Sequence, residues 1–382
     1  MRKRAHLGNW REPEHSGWSF HHVREIVPSA EIAAAAVPSP LARKARDIGL
    51  IRFTAPDGKS RSVREFFSES SGNGMIVLAR GRVACEWYSG TFNAHLPHLL
   101  FSVSKSFTAL ICAVLEEQGL LDPQKPVTYY VPEAAGSAYG TARVRHVLDM
   151  TVGIDFEEVY LSPGSPFARY REAMGWNPQS DPANPLDLHS FLMTLPPDGS
   201  AHGEAFHYVS PNSDVLGLIA ERAGGKPFAE LMQTLLWKPM GAEHAASITV
   251  DRLGAPRTAG GISVSLRDLA RVGELMRCHG FANGAQIVPG RFVDELYSHG
   301  DRAAWLKGDL QMLAPQGHYR NQWYVAEPQG PMMAIGIHGQ WLYVDPRSGV
   351  TIAKVSSQAM PVDDAMDQVT LAAFAAITAA LA

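Results

Sequence analysis

Ser102-Val103-Ser104-Lys105 is the one S-x-x-K in the chain, and it stands just before an almost unbroken apolar run, Phe107 to Leu115. Residues three apart on a helix share a face, so a lysine at 105 can fold back to hydrogen-bond a hydroxyl at 102. A serine hydroxyl needs such a neighbour because it is a poor nucleophile at its free pKa. A helix N-terminus also aims backbone N–H groups at developing negative charge. The ordinary alternative is that Ser102 caps the helix and Lys105 is a solvated first-turn residue. The apolar helix behind Lys105 favours a cleft, where the amine's pKa falls and it becomes a candidate base.

Two further segments could complete such a site. Phe206-His207-Tyr208-Val209-Ser210 is a polar stretch running into the apolar helix Leu216 to Ala223, a joint from which Tyr208 can present its hydroxyl to a cleft. The alternative is a core-edge aromatic whose hydroxyl bonds to backbone. In Gly336-Ile337-His338-Gly339-Gln340, glycines on both sides of a histidine suggest close approach of a ligand or another backbone. As an edge strand, the segment Ile337, His338, Gly339 could lend N–H groups to an oxyanion and bind an extended acyl chain; a bulge with a structural histidine is equally compatible. G-x-S-x-G, H-E-x-x-H, G-x-x-x-x-G-K-[ST] and G-x-G-x-x-G are all missing.

The elements that must hold these residues can be read from pattern. Met75–Ala79 and Val83–Tyr88 are β-rich runs joined by Arg80-Gly81-Arg82, which predicts a hairpin. Gly119 closes the helix that begins close to Ser102. Residues 120 to 245 alternate helical patterns with Pro- and Gly-rich loops, and β pattern returns in 332–336, 341–344 and 350–355, with Asp345-Pro346-Arg347-Ser348-Gly349 as the turn between the last two. The expected fold is therefore α+β: an antiparallel sheet flanked by helices and built from both chain ends, with an inserted helical lobe. The expected division is an irregular N-terminal arm over 1–45 that wraps the body, a sheet domain over 46–120 and 246–382, and a mainly helical lobe over 121–245.

Composition narrows the function. With 382 residues and 46% hydrophobic side chains, the chain can bury a large core. A net charge of −4, evenly scattered, offers no basic stripe for nucleic acid. Cys85, Cys112 and Cys278 show no metal-ligand or disulfide spacing, which fits a reducing, cytoplasmic compartment. Arg2, Lys3 and Arg4 precede polar residues and not an apolar stretch, so no export signal is expected. Leu371 to Ala382, about a dozen residues against the ~20 of a spanning helix, predicts a packed terminal helix and no membrane.

The order and spacing of these segments resemble the serine β-lactamase and penicillin-recognising family. The nearest branch is that of the aminohexanoate-dimer (nylon-oligomer) hydrolases, with class C-like family VIII esterases beside it. The resemblance runs from about Met75 to Ser357 and includes Val144-Arg145-His146-Val147-Leu148-Asp149-Met150, Ala259-Gly260-Gly261-Ile262-Ser263 and Arg267-Asp268-Leu269-Ala270-Arg271. It implies a β-lactamase/transpeptidase-like fold, Ser102 as acylated nucleophile, Lys105 as its activating partner and Tyr208 as general acid/base. It also implies an oxyanion hole from the amides of Ser102 and the Ile337 to Gln340 segment, and Tyr160 over the scissile bond. The chain departs from the family pattern at Ser210, at the segment Ile337-His338-Gly339, and at Arg171 and Ala259. Ser210 replaces the Asn of Tyr-x-Asn, and Ile337-His338-Gly339 replaces Lys-Thr-Gly, which disfavours β-lactams. Arg171 and Ala259 stand where the best amide hydrolases of the branch carry Asp and Asn. An arginine there would repel a substrate ammonium, which favours ester cleavage.

The expected activity is hydrolysis of a small-molecule ester or linear amide through an acyl-enzyme, a mechanism that needs no metal or organic cofactor. A β-lactamase or penicillin-binding DD-peptidase is the alternative on the same machinery, and a non-catalytic scaffold or sensor is the alternative from another class. The oligomeric state stays open, a homodimer among the options.

Overall fold

A computed structural model describes residues 4–382; Met1, Arg2 and Lys3 lie outside the described residues. The main sheet has seven strands: β1 (Gly72–Ala79), β2 (Arg82–Tyr88), β3 (His318–Arg320), β4 (Trp323–Val325), β5 (Met332–Gly336), β6 (Gln340–Asp345) and β7 (Val350–Ser356). Their order is β3-β4-β5-β6-β7-β1-β2, all antiparallel, and β7 pairs with β1 from Val350↔Ala79 to Val355↔Gly74. The two ends of the chain thus meet in mid-sheet. Arg80 and Gly81, at φ +49 and +75, make the two-residue turn between β1 and β2.

Both faces of the sheet are covered. Ile76, Leu78, Leu342, Val344, Ala353 and Val355 share a core with helices α1 (Val103–Glu117) and α3 (Leu266–Arg277). Met75, Val77, Trp341, Tyr343 and Ile352 face the C-terminal helix α4 (Asp364–Leu381). Double burial explains why Met75–Ala79 is continuously apolar instead of alternating. The second long helix of the site, α2 (Ser210–Gly224), packs against α1, and no strand falls within residues 121–245.

Three features differ from the sequence expectation. A second, four-stranded sheet joins Ser29–Ile32, Ala246–Thr249, Ile262–Ser265 and Pro97–Leu99, in that order. Its strands are three or four residues long and come from four distant parts of the chain, too short for a periodic signal. It positions the site directly, because Leu100 N–H bonds Ile262 O at 2.8 Å just ahead of α1. The N-terminal arm is more regular than expected: helix Pro13–Ser19 follows Trp10, which is fully buried against Phe20 and Trp176. The terminal helix also starts about two turns earlier than its apolar run, because Asp363 caps it by accepting from Met366 N–H. At 18 residues it is the one helix among the described residues with the length and composition to cross a bilayer, yet it lays Val369, Ala373, Phe374 and Ile377 onto the sheet and Phe66.

Phe374 is the anchor of that contact, with its ring 5.4 Å from Tyr343, 5.9 Å from Trp341 and 6.3 Å from Phe66. Truncation to Ala should cost about 3–5 kcal/mol in urea unfolding. A loss under about 1 kcal/mol would mean that the helix is not part of the core.

Candidate active site

Helix α1 begins at Val103, and the Ser102 side chain makes no capping bond, which removes the N-cap explanation for it. The preceding residue, Phe101, has φ +46, a left-handed conformation that non-glycine residues rarely hold. Its ring is clamped by Phe20 at 4.9 Å, His338 at 5.2 Å and Trp176 at 5.9 Å. Packing thus imposes a sharp turn that delivers Ser102 to a cleft.

Lys105 is almost wholly buried, and its Nζ lies 2.9 Å from each of three acceptors: Ser102 Oγ, Ser210 Oγ and the Ala259 carbonyl. Burial pushes its pKa down to about 7, opposed by the charges of Glu158 and Asp214 and assisted by Arg257. A neutral amine has two N–H donors and one lone pair, which matches one carbonyl acceptor and two hydroxyls, Ser210 accepting and Ser102 donating.

Two of these acceptors, Ser210 and the Ala259 carbonyl, are held in place by charged groups. Ser210 opens α2, whose N-terminus lacks a side-chain cap from Val209; the Glu158 carboxylate accepts from Ser210 N–H instead. One turn along, Asp214 takes the Ala259 N–H at 2.8 Å and pairs with Arg257, which also donates to Tyr170 Oη at 2.5 Å. That buried pair fixes Ala259, whose carbonyl faces Lys105.

The Tyr208 ring lies 5.0 Å from Lys105 Nζ, and its phenol faces the Ser102 and Tyr324 side chains. Burial, then the charge of Glu158, raise its pKa, while those two hydroxyl neighbours lower it. Neither neighbour is a fully aligned hydrogen bond. Tyr208 is therefore a protonated phenol at neutral pH beside an amine poised near its midpoint.

The C-terminal strand reaches the serine because of one glycine. A Cβ on Gly336 would sit 2.5 Å from Leu100 O and 3.1 Å from Ser102 N, so only glycine permits this approach. Strand β5 is interior to the sheet, not an edge as the sequence suggested; its pairing with β4 stops at Met333, leaving its Gly336 end open towards Ser102. His338 and Gly339 lie in the β5–β6 turn with φ +60 and +83, outside any strand. His338 is committed to the Gln358 carbonyl through Nδ1 at 2.7 Å, and burial drives its pKa down to about 4. It is a neutral structural residue whose ring walls the cleft. Ile337, Gly339 and Tyr160 also line the cleft, and the Tyr160 hydroxyl donates its hydrogen bond to Glu158.

Two chambers flank Ser102 and share Tyr160, Ile337 and Pro361. One, of about 340 Å³, is walled by Phe101, Phe167, Met174 and Trp176 with Arg11, Arg171 and Ala259. The other, of about 420 Å³, contains Tyr208, Tyr324 and several carboxylates, among them Glu157 and Asp309. The structure therefore brings Ser102, Lys105, Tyr208, Tyr160, Ile337, His338 and Gly339 around one cleft. Sequence reasoning gave no role to Glu158, Asp214, Arg257 or Arg11. Asp214 had a signal, four residues after Ser210 on one helix face, whereas Arg257 and Arg11 arrive from loops with none.

Comparison with known proteins identifies the family and the fold. The Beta-lactamase family profile matches residues 63–377. The 6-aminohexanoate-dimer hydrolase of Paenarthrobacter ureafaciens is 37% identical over 352 residues, covering 92% of this chain and 88% of that protein. A Bacillus anthracis protein assigned as a 6-aminohexanoate-dimer hydrolase superposes with a TM-score of 0.90 at 22% identity, over 100% of this chain and 98% of its own. A family VIII carboxylesterase superposes at 0.60 with 15% identity, over 82% of this chain and 96% of its own, and so shares the fold. The chain belongs to the Beta-lactamase family and is a serine hydrolase.

Proposed function

We propose that this hydrolase cleaves carboxylic esters, and linear amides more slowly, through an acyl-enzyme on Ser102. The observation that carries the proposal is the buried Lys105 amine, 2.9 Å from Ser102 Oγ and titrating near neutrality. Ser102 Oγ attacks the acyl carbonyl while its proton passes to Lys105 Nζ. The resulting oxyanion is met by the N–H groups of Ser102 and Ile337, which the Gly336 approach supports. Collapse breaks the bond to the leaving alkoxide or amine, which takes its proton from Lys105 through the Tyr208 phenol. Water then attacks the acyl-enzyme, giving one proton to Lys105, and Ser102 recovers its own as the acid departs. Tyr160 has no part in this relay, because its proton is held by Glu158. A reducing compartment, the cytoplasm, suits the three unpaired cysteines.

Three outcomes are expected. Turnover of p-nitrophenyl hexanoate should fall at least ~10³-fold in Ser102→Ala, and equal turnover by both proteins would return the scaffold reading. For wild type, kcat/KM should rise with pH and reach half its maximum near pH 7 as Lys105 loses its proton. A profile flat from pH 5.5 to 9 would exclude Lys105 as the base. Gly336→Ala should lower kcat/KM by about 10²-fold or more, because its Cβ displaces the strand from Ser102. Wild-type turnover in that variant would remove Ile337 N–H from the oxyanion site.

A further inference from the structure

The chamber holding Arg11 and Arg171 contains more positive charge than its own groups balance. Arg171 makes no ion pair among the described residues, its Nε is buried without an acceptor, and its guanidinium lies 5.2 Å from the Phe167 ring centroid. Arg11 reaches the same chamber from the N-terminal arm, donating to Trp176 O at 2.9 Å and Asn177 Oδ1 at 2.5 Å, both neutral. The third arginine of the wall, Arg257, is already paired with Asp214. The only carboxylate in this wall is Glu12, which is solvent-exposed. Arg171 lies close enough to depress the pKa of Arg11, which burial and that charge bring to about 9, still above neutral pH; Arg171, a guanidinium, is likewise a cation. Two half-buried cations with neutral partners in an apolar chamber are costly unless an anion joins them.

Which half of the substrate enters this chamber follows from where the proton must go. Tyr208 lines the other chamber and not this one. The leaving group, which must receive a proton by way of Tyr208, therefore departs on the Tyr208 side, and the acyl group occupies the arginine chamber. The leaving-group side is lined by Glu157, Asp309, Asp364 and Asp367 with no Lys or Arg, so a carboxylate on the leaving group is repelled there.

We infer that the acyl half of the substrate ends in an anionic group, a carboxylate at the far end of a short alkyl chain, bound by Arg11 and Arg171. This inference rests on the acyl-enzyme reading above and specifies its substrate class: half-esters or half-amides of short dicarboxylic acids. The 6-aminohexanoate dimer has the opposite polarity, with an ammonium on its acyl half and a carboxylate on its leaving half. The arginine chamber and the acidic chamber both oppose it.

The test separates binding from turnover. Binding to Ser102→Ala is measured by calorimetry for monomethyl adipate, methyl hexanoate and methyl 6-(trimethylammonio)hexanoate, with monomethyl succinate and glutarate to vary chain length. At least one half-ester should bind ten-fold or more tightly than the neutral ester, the cationic ester should bind worst, and the preference should shrink in 0.5 M salt. Adding Arg171→Gln or Arg11→Gln to Ser102→Ala should reduce the half-ester to neutral-ester ratio several-fold, a ratio that general loss of folding leaves alone. Equal binding of all three charge types, or a preference unmoved by both arginine substitutions, overturns the anion site. Wild-type kcat/KM on the matching p-nitrophenyl esters tests the underlying activity. No turnover with the binding preference intact would defeat the hydrolase reading and leave the anion site standing; Ser102-dependent turnover without any preference would do the reverse.

Discussion

A lysine amine taken out of water beside a serine is the constraint around which this protein is built. Burying an ammonium costs several kcal/mol unless its hydrogen bonds are replaced, and here Lys105 finds three acceptors at 2.9 Å. The burial that makes the charge expensive also makes the amine a base near neutral pH. A solvated lysine would keep its proton and leave Ser102 inert.

The surrounding elements serve that arrangement. The short second sheet anchors Leu100, the clamped left-handed Phe101 turns the chain, and α1 starts with Ser102 and Lys105 on one face. Helix α2 supplies Ser210 and, one turn later, Asp214, whose pair with Arg257 holds the Ala259 peptide. Glu158 satisfies the head of α2 and the Tyr160 hydroxyl together. Gly336 lets β5 close the cleft from the far side, bringing both ends of the chain to one serine.

Much of this was legible before any coordinates. The doubly covered sheet left long β-rich runs, the hairpins announced themselves through Arg80-Gly81 and Asp345–Gly349, and Ser102 and Lys105 were spaced for one helix face. What escaped was local and short-range in sequence but long-range in space. Strands of three or four residues carry no period, so the second sheet was silent. His338 looked like a ligand contact because glycines flank it, but those glycines serve the approach to Ser102 and a tight turn, and the ring is spent on Gln358. Arg11 was hidden in an arm that seemed irregular, where Trp10 is the buried anchor that carries its neighbour to the cleft.

The central claim is that the Lys105 amine is neutral for much of its time near pH 7. The most direct check is a titration of the Lys105 side chain by NMR, following 13C-labelled lysine Cε with the resonance assigned by its loss in Lys105→Arg. A midpoint near pH 7, well apart from the surface lysines, is the predicted result. A Lys105 resonance that titrates with the others above pH 10 would contradict the account.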